Sequence, residues 1–260
     1  MDFTKFFNLP IVASSHGQEV DMIIYLVHLL MFVLFVGWAV YFIVALFKFR
    51  QKKHPKANYH GVQSHITSWI EIGVVIIEAI LLIGFSIPLW AKQVNAFPTR
   101  SDTIEIRVVA EQFAWNVHYA GADGIFGKVD LKYFDRQSNP LGLDPSDPNG
   151  KDDVTTINQL HLPVGRPAII HLTSKDVIHS FSLPVMRVKQ DVIPGLSIPT
   201  WFIPTKTGQF EIACAQLCGL GHYRMKGFLT IHSQEEFDQW LSEQSASSKG
   251  AEEGFDDFWN

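Results

Sequence analysis

Two membrane-crossing helices followed by an all-β sandwich or barrel is the architecture this 260-residue chain predicts, on three observations. Two long apolar runs lie near the N-terminus. The short connection between them carries only basic charge. From Thr103 onward the chain breaks into short stretches of alternating polar and apolar residues, separated by Gly and Pro. Many short strands of this kind argue for a sandwich or barrel.

Residues 1–21 form a polar lead-in holding Lys5 against Asp2, Glu19 and Asp21. Residues 22–47 are almost wholly apolar, with His28 as the one readily titrated side chain. The run exceeds the roughly 20 residues that cross a bilayer as a helix. It is also too long, and starts too far in, for a cleaved signal peptide. Residues 48–68 carry Lys48, Arg50, Lys52, Lys53 and Lys56 and no acid. Basic loops stay in the cytoplasm, so both termini are expected outside. Residues 69–90 are the second apolar run, interrupted by Glu71 and Glu78. Ionisable groups at membrane depth are costly and often mark ion paths; seven residues apart, these two share a helix face.

Residues 91–241 are the outer domain. Strands are expected at 103–109, 113–119, 159–162, 168–173, 177–183, 208–214 and 227–232. Ser233 and Glu236 are spaced as a capping box, which predicts a short helix through Leu241. Residues 138–153 hold three prolines and several aspartates. Their oxygens suit calcium, but no known loop spacing is present, so a solvated, turn-rich insertion is expected. Residues 242–260 are Ser-, Ala-, Gly- and acid-rich, the composition of a disordered tail; Phe255, Phe258 and Trp259 at its tip are candidates for docking on a partner.

The outer domain also carries the chemistry. The chain's two cysteines, Cys214 and Cys218, sit four apart, with His222 and Met225 just beyond. Thiolate and thioether are soft ligands that select copper, and imidazole suits copper, zinc and iron alike. A mononuclear blue-copper site needs one Cys, two His and a Met, so the second thiol suggests two bridged ions. The further imidazole that such a centre needs is available at His179. A structural zinc site and a Cys214–Cys218 disulfide are the competing readings; zinc would not need Met225.

The run Cys214-Ala215-Gln216-Leu217-Cys218-Gly219-Leu220-Gly221-His222-Tyr223-Arg224-Met225, preceded by Asp176-Val177-Ile178-His179-Ser180, resembles the dinuclear copper signature of cytochrome c oxidase subunit II, a haem-copper oxidase component. Lys189 to Gly195 resembles that family's segment between the two ligand groups. The resemblance implies a cupredoxin-like Greek-key sandwich binding two copper ions. It implies that Cys214 and Cys218 bridge both, that His179 and Met225 complete one, and that His222 with the Gln216 backbone carbonyl completes the other. It further implies electron transfer from cytochrome c or a similar carrier to haem in subunit I, where oxygen is reduced and protons are pumped. The setting implied is a bacterial inner membrane crossed twice, with other oxidase subunits and the lipid bilayer as partners; no nucleic-acid partner is expected.

Three departures from the family pattern stand out. Gln216 replaces a Glu whose carboxylate reaches a magnesium ion at the subunit I interface, which puts that ion in doubt. The family's aromatic electron-entry patch reads Phe113-Ala114-Trp115 here, leaving Phe113 and Trp115 as candidates; alternatively both simply pack one strand face. The family's proton-entry Glu has no counterpart near Ile66, so Glu71 or Glu78 is the candidate replacement. From Lys92 onward the chain carries 15 Lys and Arg against 21 Asp and Glu. That balance favours a cationic donor, with Asp176 and Asp191 as docking candidates. A membrane-anchored copper carrier is the alternative function, and it would favour an open, low-coordination site. A quinol oxidase subunit would share the architecture but lack the ligands.

Overall fold

The structure, a computed structural model, describes residues 8–56, 59–60 and 63–256, without the side chains of residues 100 and 247–256. The chain divides into two units, residues 1–7 with 19–96 and residues 8–18 with 97–260.

In the first unit, α1 (Gly17–Lys48) and α2 (Ile66–Asn95) are each long and apolar enough to cross a membrane. Lys92 Nζ, near the end of α2, lies 2.7 Å from Glu19 Oε1 at the start of α1, so the helices run antiparallel. Within α2, residues Ile80–Ser86 widen into a π-helix. Pro88 accounts for this: its ring would crowd the carbonyl four residues back and it donates no hydrogen bond. The Ser86 hydroxyl answers Leu81 O at 3.2 Å, satisfying one of the disturbed carbonyls.

The second unit is a β-sandwich of two five-stranded sheets in the cupredoxin-like Greek-key arrangement. One sheet has the order β3 (Val154–Ile157), β2 (Ala114–Tyr119), β1 (Ile104–Glu111), β5 (Ala168–Ser174), β8 (Ile198–Phe202). The other runs β4 (Gln159–Pro163), β10 (Lys226–His232), β9 (Gly208–Cys214), β6 (His179–Leu183), β7 (Val188–Val192). Parallel pairs β1–β5 and β4–β10 interrupt otherwise antiparallel ladders. Strand residues alternate across each sheet, and the inward sets, including Trp115, Phe181, Phe202, Leu162 and Ile170, form one fully buried core.

Residues 8–18 belong with this sandwich. Ala13 N donates to Val185 O at 2.8 Å, and Thr205 N donates to Ala13 O at 2.8 Å. Ser14 Oγ donates to Met186 O at 2.7 Å.

The expected capping box is present: Glu236 N donates to Ser233 Oγ at 3.2 Å and Ser233 N to Glu236 Oε2 at 2.9 Å. It opens α3 (Gln234–Asp256), which runs past the expected end at Leu241. The tail composition lacks core-forming residues but also lacks proline, and Ser, Glu, Gln and Ala all tolerate a helix. Ser245 Oγ also ties the helix to Asp152 O at 3.2 Å. Phe258, Trp259 and the Phe255 side chain lie outside the described residues. In the aspartate-rich insertion carboxylates cap their own turns: Asp144 Oδ1 accepts from Ser146 N and Asp147 Oδ1 from Asn149 N.

Candidate metal centre

Two neighbouring strands and the loop that follows one of them deliver the donors to one end of the sandwich. His179 opens β6 and Cys214 closes β9, its neighbour, with Phe181 opposite Cys214 in the ladder. The β9–β10 connection then leaves and returns, pinned where Cys214 N donates to Met225 O at 3.2 Å. A loop closed at those two residues holds Gln216, Cys218 and His222 between its ends.

The donors converge. Cys214 Sγ lies 3.8 Å from Cys218 Sγ, 3.9 Å from His179 Nδ1 and 3.2 Å from Gln216 O. Cys218 Sγ lies 3.6 Å from His222 Nδ1 and 3.7 Å from Met225 Sδ. All six expected donors therefore meet in one cluster. Both cysteines are free thiols, and His179, Cys218 and Met225 are buried. Burial, and then the adjacent Cys214, push the Cys218 thiol up to about 11. A buried pair of thiols with two imidazoles, a thioether and a carbonyl suits copper better than hard cations, and thiol donors must shed their protons to bind it.

Asp176, on an exposed turn, also reaches the cluster. His179 Nε2 lies 2.9 Å from its Oδ1. A carboxylate accepts, so Nε2 carries the proton and Nδ1 presents its lone pair to Cys214. Asp176 also accepts from Gln112 N at 2.7 Å and Val177 N at 2.7 Å. Burial raises its pKa, but the hydrogen bonds from His179, Gln112 and Val177 outweigh this and hold it below the usual carboxylate range. Asp191 stays half-exposed, lowered by Ser180 Oγ at 2.8 Å and Lys189.

The two aromatic candidates have separate places. Trp115 is fully buried and packs edge-on against His179, with ring centroids 6.2 Å apart, and against Phe181 at 5.5 Å. It is a core residue behind a donor and has no surface face for docking. Phe113 is half-buried against the ligand loop, where a Cβ on Gly221 would come within 2.6 Å of Phe113 Cε2. Glu71 and Glu78 are exposed on α2, in the other unit.

The sequence reading missed Gln112, whose Nε2 donates to Cys218 O at 2.6 Å. No local signal marks a contact spanning 106 residues of chain. For Asp176, its position three residues before His179 was the available clue.

Fold and site together define a membrane-anchored β-sandwich protein with a soft-donor cluster suited to copper. A family model described as cytochrome c oxidase subunit II, periplasmic domain, matches residues 104–231. An alternative cytochrome c oxidase subunit 2 of Bradyrhizobium diazoefficiens is 33% identical over 201 residues, covering 76% of this chain and 70% of that one. Cytochrome c oxidase subunit 2 of Synechocystis sp. is 28% identical over 257 residues, covering 90% and 75%. Among solved structures, the periplasmic domain of cytochrome oxidase subunit II of Bradyrhizobium japonicum shares 29% identity at a TM-score of 0.41, covering 55% of this chain and 94% of that one. The chain belongs to the cytochrome c oxidase subunit II family, and is thus a component of a respiratory oxidoreductase complex.

Proposed function

We propose that the outer sandwich holds a dinuclear copper centre that relays electrons from cytochrome c or a similar carrier to the haem of subunit I. The convergence of all six donors on one thiol pair carries this reading. Two copper ions held there would supply one-electron storage with little rearrangement. The chain's own residues make that storage usable. Cys214 and Cys218 would hold both ions, with His179 and Met225 at one and His222 and the Gln216 carbonyl at the other. Asp176 fixes the His179 ring, and the burial of Cys218 and Met225 keeps water off the sulfurs. A closed cluster of this kind speaks against a copper carrier, whose donors need to be open for exchange.

Phe113 and the half-buried His222 are where an incoming electron meets the loop, with Trp115 packed behind His179. Asp191 remains available for docking a cationic donor. Gln216 keeps its carbonyl at the cluster but offers an exposed amide in place of a carboxylate, so we propose no magnesium at the partner interface. Glu71 and Glu78 are proposed to lead protons toward subunit I. The sandwich lies outside a bacterial inner membrane. The basic connection supports this orientation.

Rapid mixing of reduced cytochrome c with the assembled oxidase tests the relay. Cys218→Ser abolishes the fast phase of cytochrome oxidation while leaving haem content intact; an unchanged fast phase contradicts the proposal.

A further inference from the structure

The two ligand groups arrive on different hairpins, and the ladder that joins them is short. β6 and β9 share the pairs Phe181–Cys214 and Ser182–Ala213, extended by Ala215 N donating to Ser180 O at 2.9 Å. Beyond Ala215 the ligand loop is stitched mainly to itself: His222 N donates to Gly219 O, Arg224 N to Gly221 O and Met225 N to His222 O, each at 3.1 Å. A self-contained loop can shift as a body relative to His179. Something outside it has to fix its position.

Gln112, in the β1–β2 turn, reaches both groups. Its side-chain amide donates to Cys218 O at 2.6 Å. Its backbone N–H donates to Asp176 Oδ2 at 2.7 Å, and the other oxygen of Asp176 lies 2.9 Å from His179 Nε2. The path from the Cys218 carbonyl to the His179 ring therefore passes through two residues. The ligand loop is shaped to receive this contact. Gly219 has φ +129°, a conformation that favours glycine, and a Cβ there would lie 2.7 Å from Gln112 Nε2. The next residue, Phe113, supports Gly219 and Gly221 from below.

We propose that Gln112 is a positioning residue that locks the Cys218 loop and the Asp176–His179 turn into one frame, fixing the spacing of donors across the metal centre. The inference rests on the copper reading above, because the spacing matters for function only if both groups hold the same centre. Partners that orient metal ligands typically change metal affinity by 10–100-fold when removed.

The test uses the purified full-length chain with copper salt alone as the probe. Gln112→Glu keeps the side chain's size but replaces the donating amide with an acceptor facing Cys218 O. Gln112→Leu removes its polarity. Gln112 is exposed at its other faces, so neither change empties the core. Both variants are expected to lose copper to a competing chelator at roughly tenfold lower chelator concentration, with altered hyperfine splitting in the paramagnetic resonance spectrum. In the metal-free chain, alkylation of the cysteines is expected to run roughly fivefold faster, the factor of one net hydrogen bond. Wild-type spectra, retention and alkylation in both variants overturn the inference. If the wild-type chain takes up no copper while alkylation still responds to Gln112, the copper reading falls and the clasp between the segments stands. If neither copper uptake nor a response to Gln112 is seen, both are overturned.

Discussion

Replacing Trp115 by alanine separates packing from docking more sharply than any change at the surface. The ring is fully buried, and a side chain of this size removes about 150–250 Å² from water. At about 25 cal/mol per Å² this is worth about 4–6 kcal/mol, in line with the roughly 3–5 kcal/mol typical of Trp→Ala in cores. Domain stabilities are about 5–15 kcal/mol, so Trp115→Ala leaves the sandwich marginal. Trp115→Phe behaves differently for a reason visible in the structure: the indole Nε1 is buried without an acceptor among the described residues. Phenylalanine leaves a small cavity but also removes that unsatisfied donor, a gain of about 1 kcal/mol or more. Its net cost is therefore about 1 kcal/mol. Urea unfolding of the detergent-solubilised chain, followed through Trp201 and Trp240 fluorescence, measures both variants. Because the ring stands against His179, copper retention should fall in Trp115→Ala and hold in Trp115→Phe. Equal damage from both substitutions, or an alanine variant within 1 kcal/mol of wild type, would refute the reasoning.

Gln216→Glu restores a carboxylate beside the ligand loop, so the assembled oxidase should retain manganese through desalting, read as a six-line resonance, where the wild type does not; equal retention in both contradicts the account. Acid should weaken the sandwich through His161, whose pKa burial, and then His232, lower from 6.5 to about 4. The unfolded chain takes up this proton first, so the stabilisation is complete above about pH 6.5 and is lost as pH falls towards 4. Allowing for the partial exposure of the ring, the loss is about 1–2 kcal/mol. His161→Phe, which can still stack on Trp240, should flatten the pH dependence of the unfolding midpoint, and an unaltered slope would count against it. Glu71→Gln and Glu78→Gln in the assembled oxidase should slow proton uptake in at least one variant; normal uptake in both removes these residues from any proton path.

What the sequence reveals about this protein depends on how local the cause is. The membrane helices follow from composition, the capping box from a four-residue spacing, and the donor cluster from a twelve-residue run, so each is legible. The strands β3, β7 and β8 are not, and all three lie at sheet edges. Edge strands keep one side toward solvent and carry polar or proline residues that disguise them. Lys189, Gln190 and Asp191 break the apolar pattern of β7, and Pro199 that of β8. Val177 and Ile178 read as strand, yet a turn takes them: Ser174 Oγ donates to Val177 O and Val177 N to Asp176 Oδ1. The same turn makes the exposed Asp176 the partner of His179 as well. Gln112 is invisible in sequence because its meaning lies entirely in contacts 64 and 106 residues away.

Paramagnetic resonance on the purified, copper-loaded chain tests the central claim most directly. Two thiolate-bridged ions sharing one unpaired electron give a seven-line hyperfine pattern, lost in both Cys214→Ser and Cys218→Ser, and this is the expected result. A four-line spectrum from a single copper ion would contradict it.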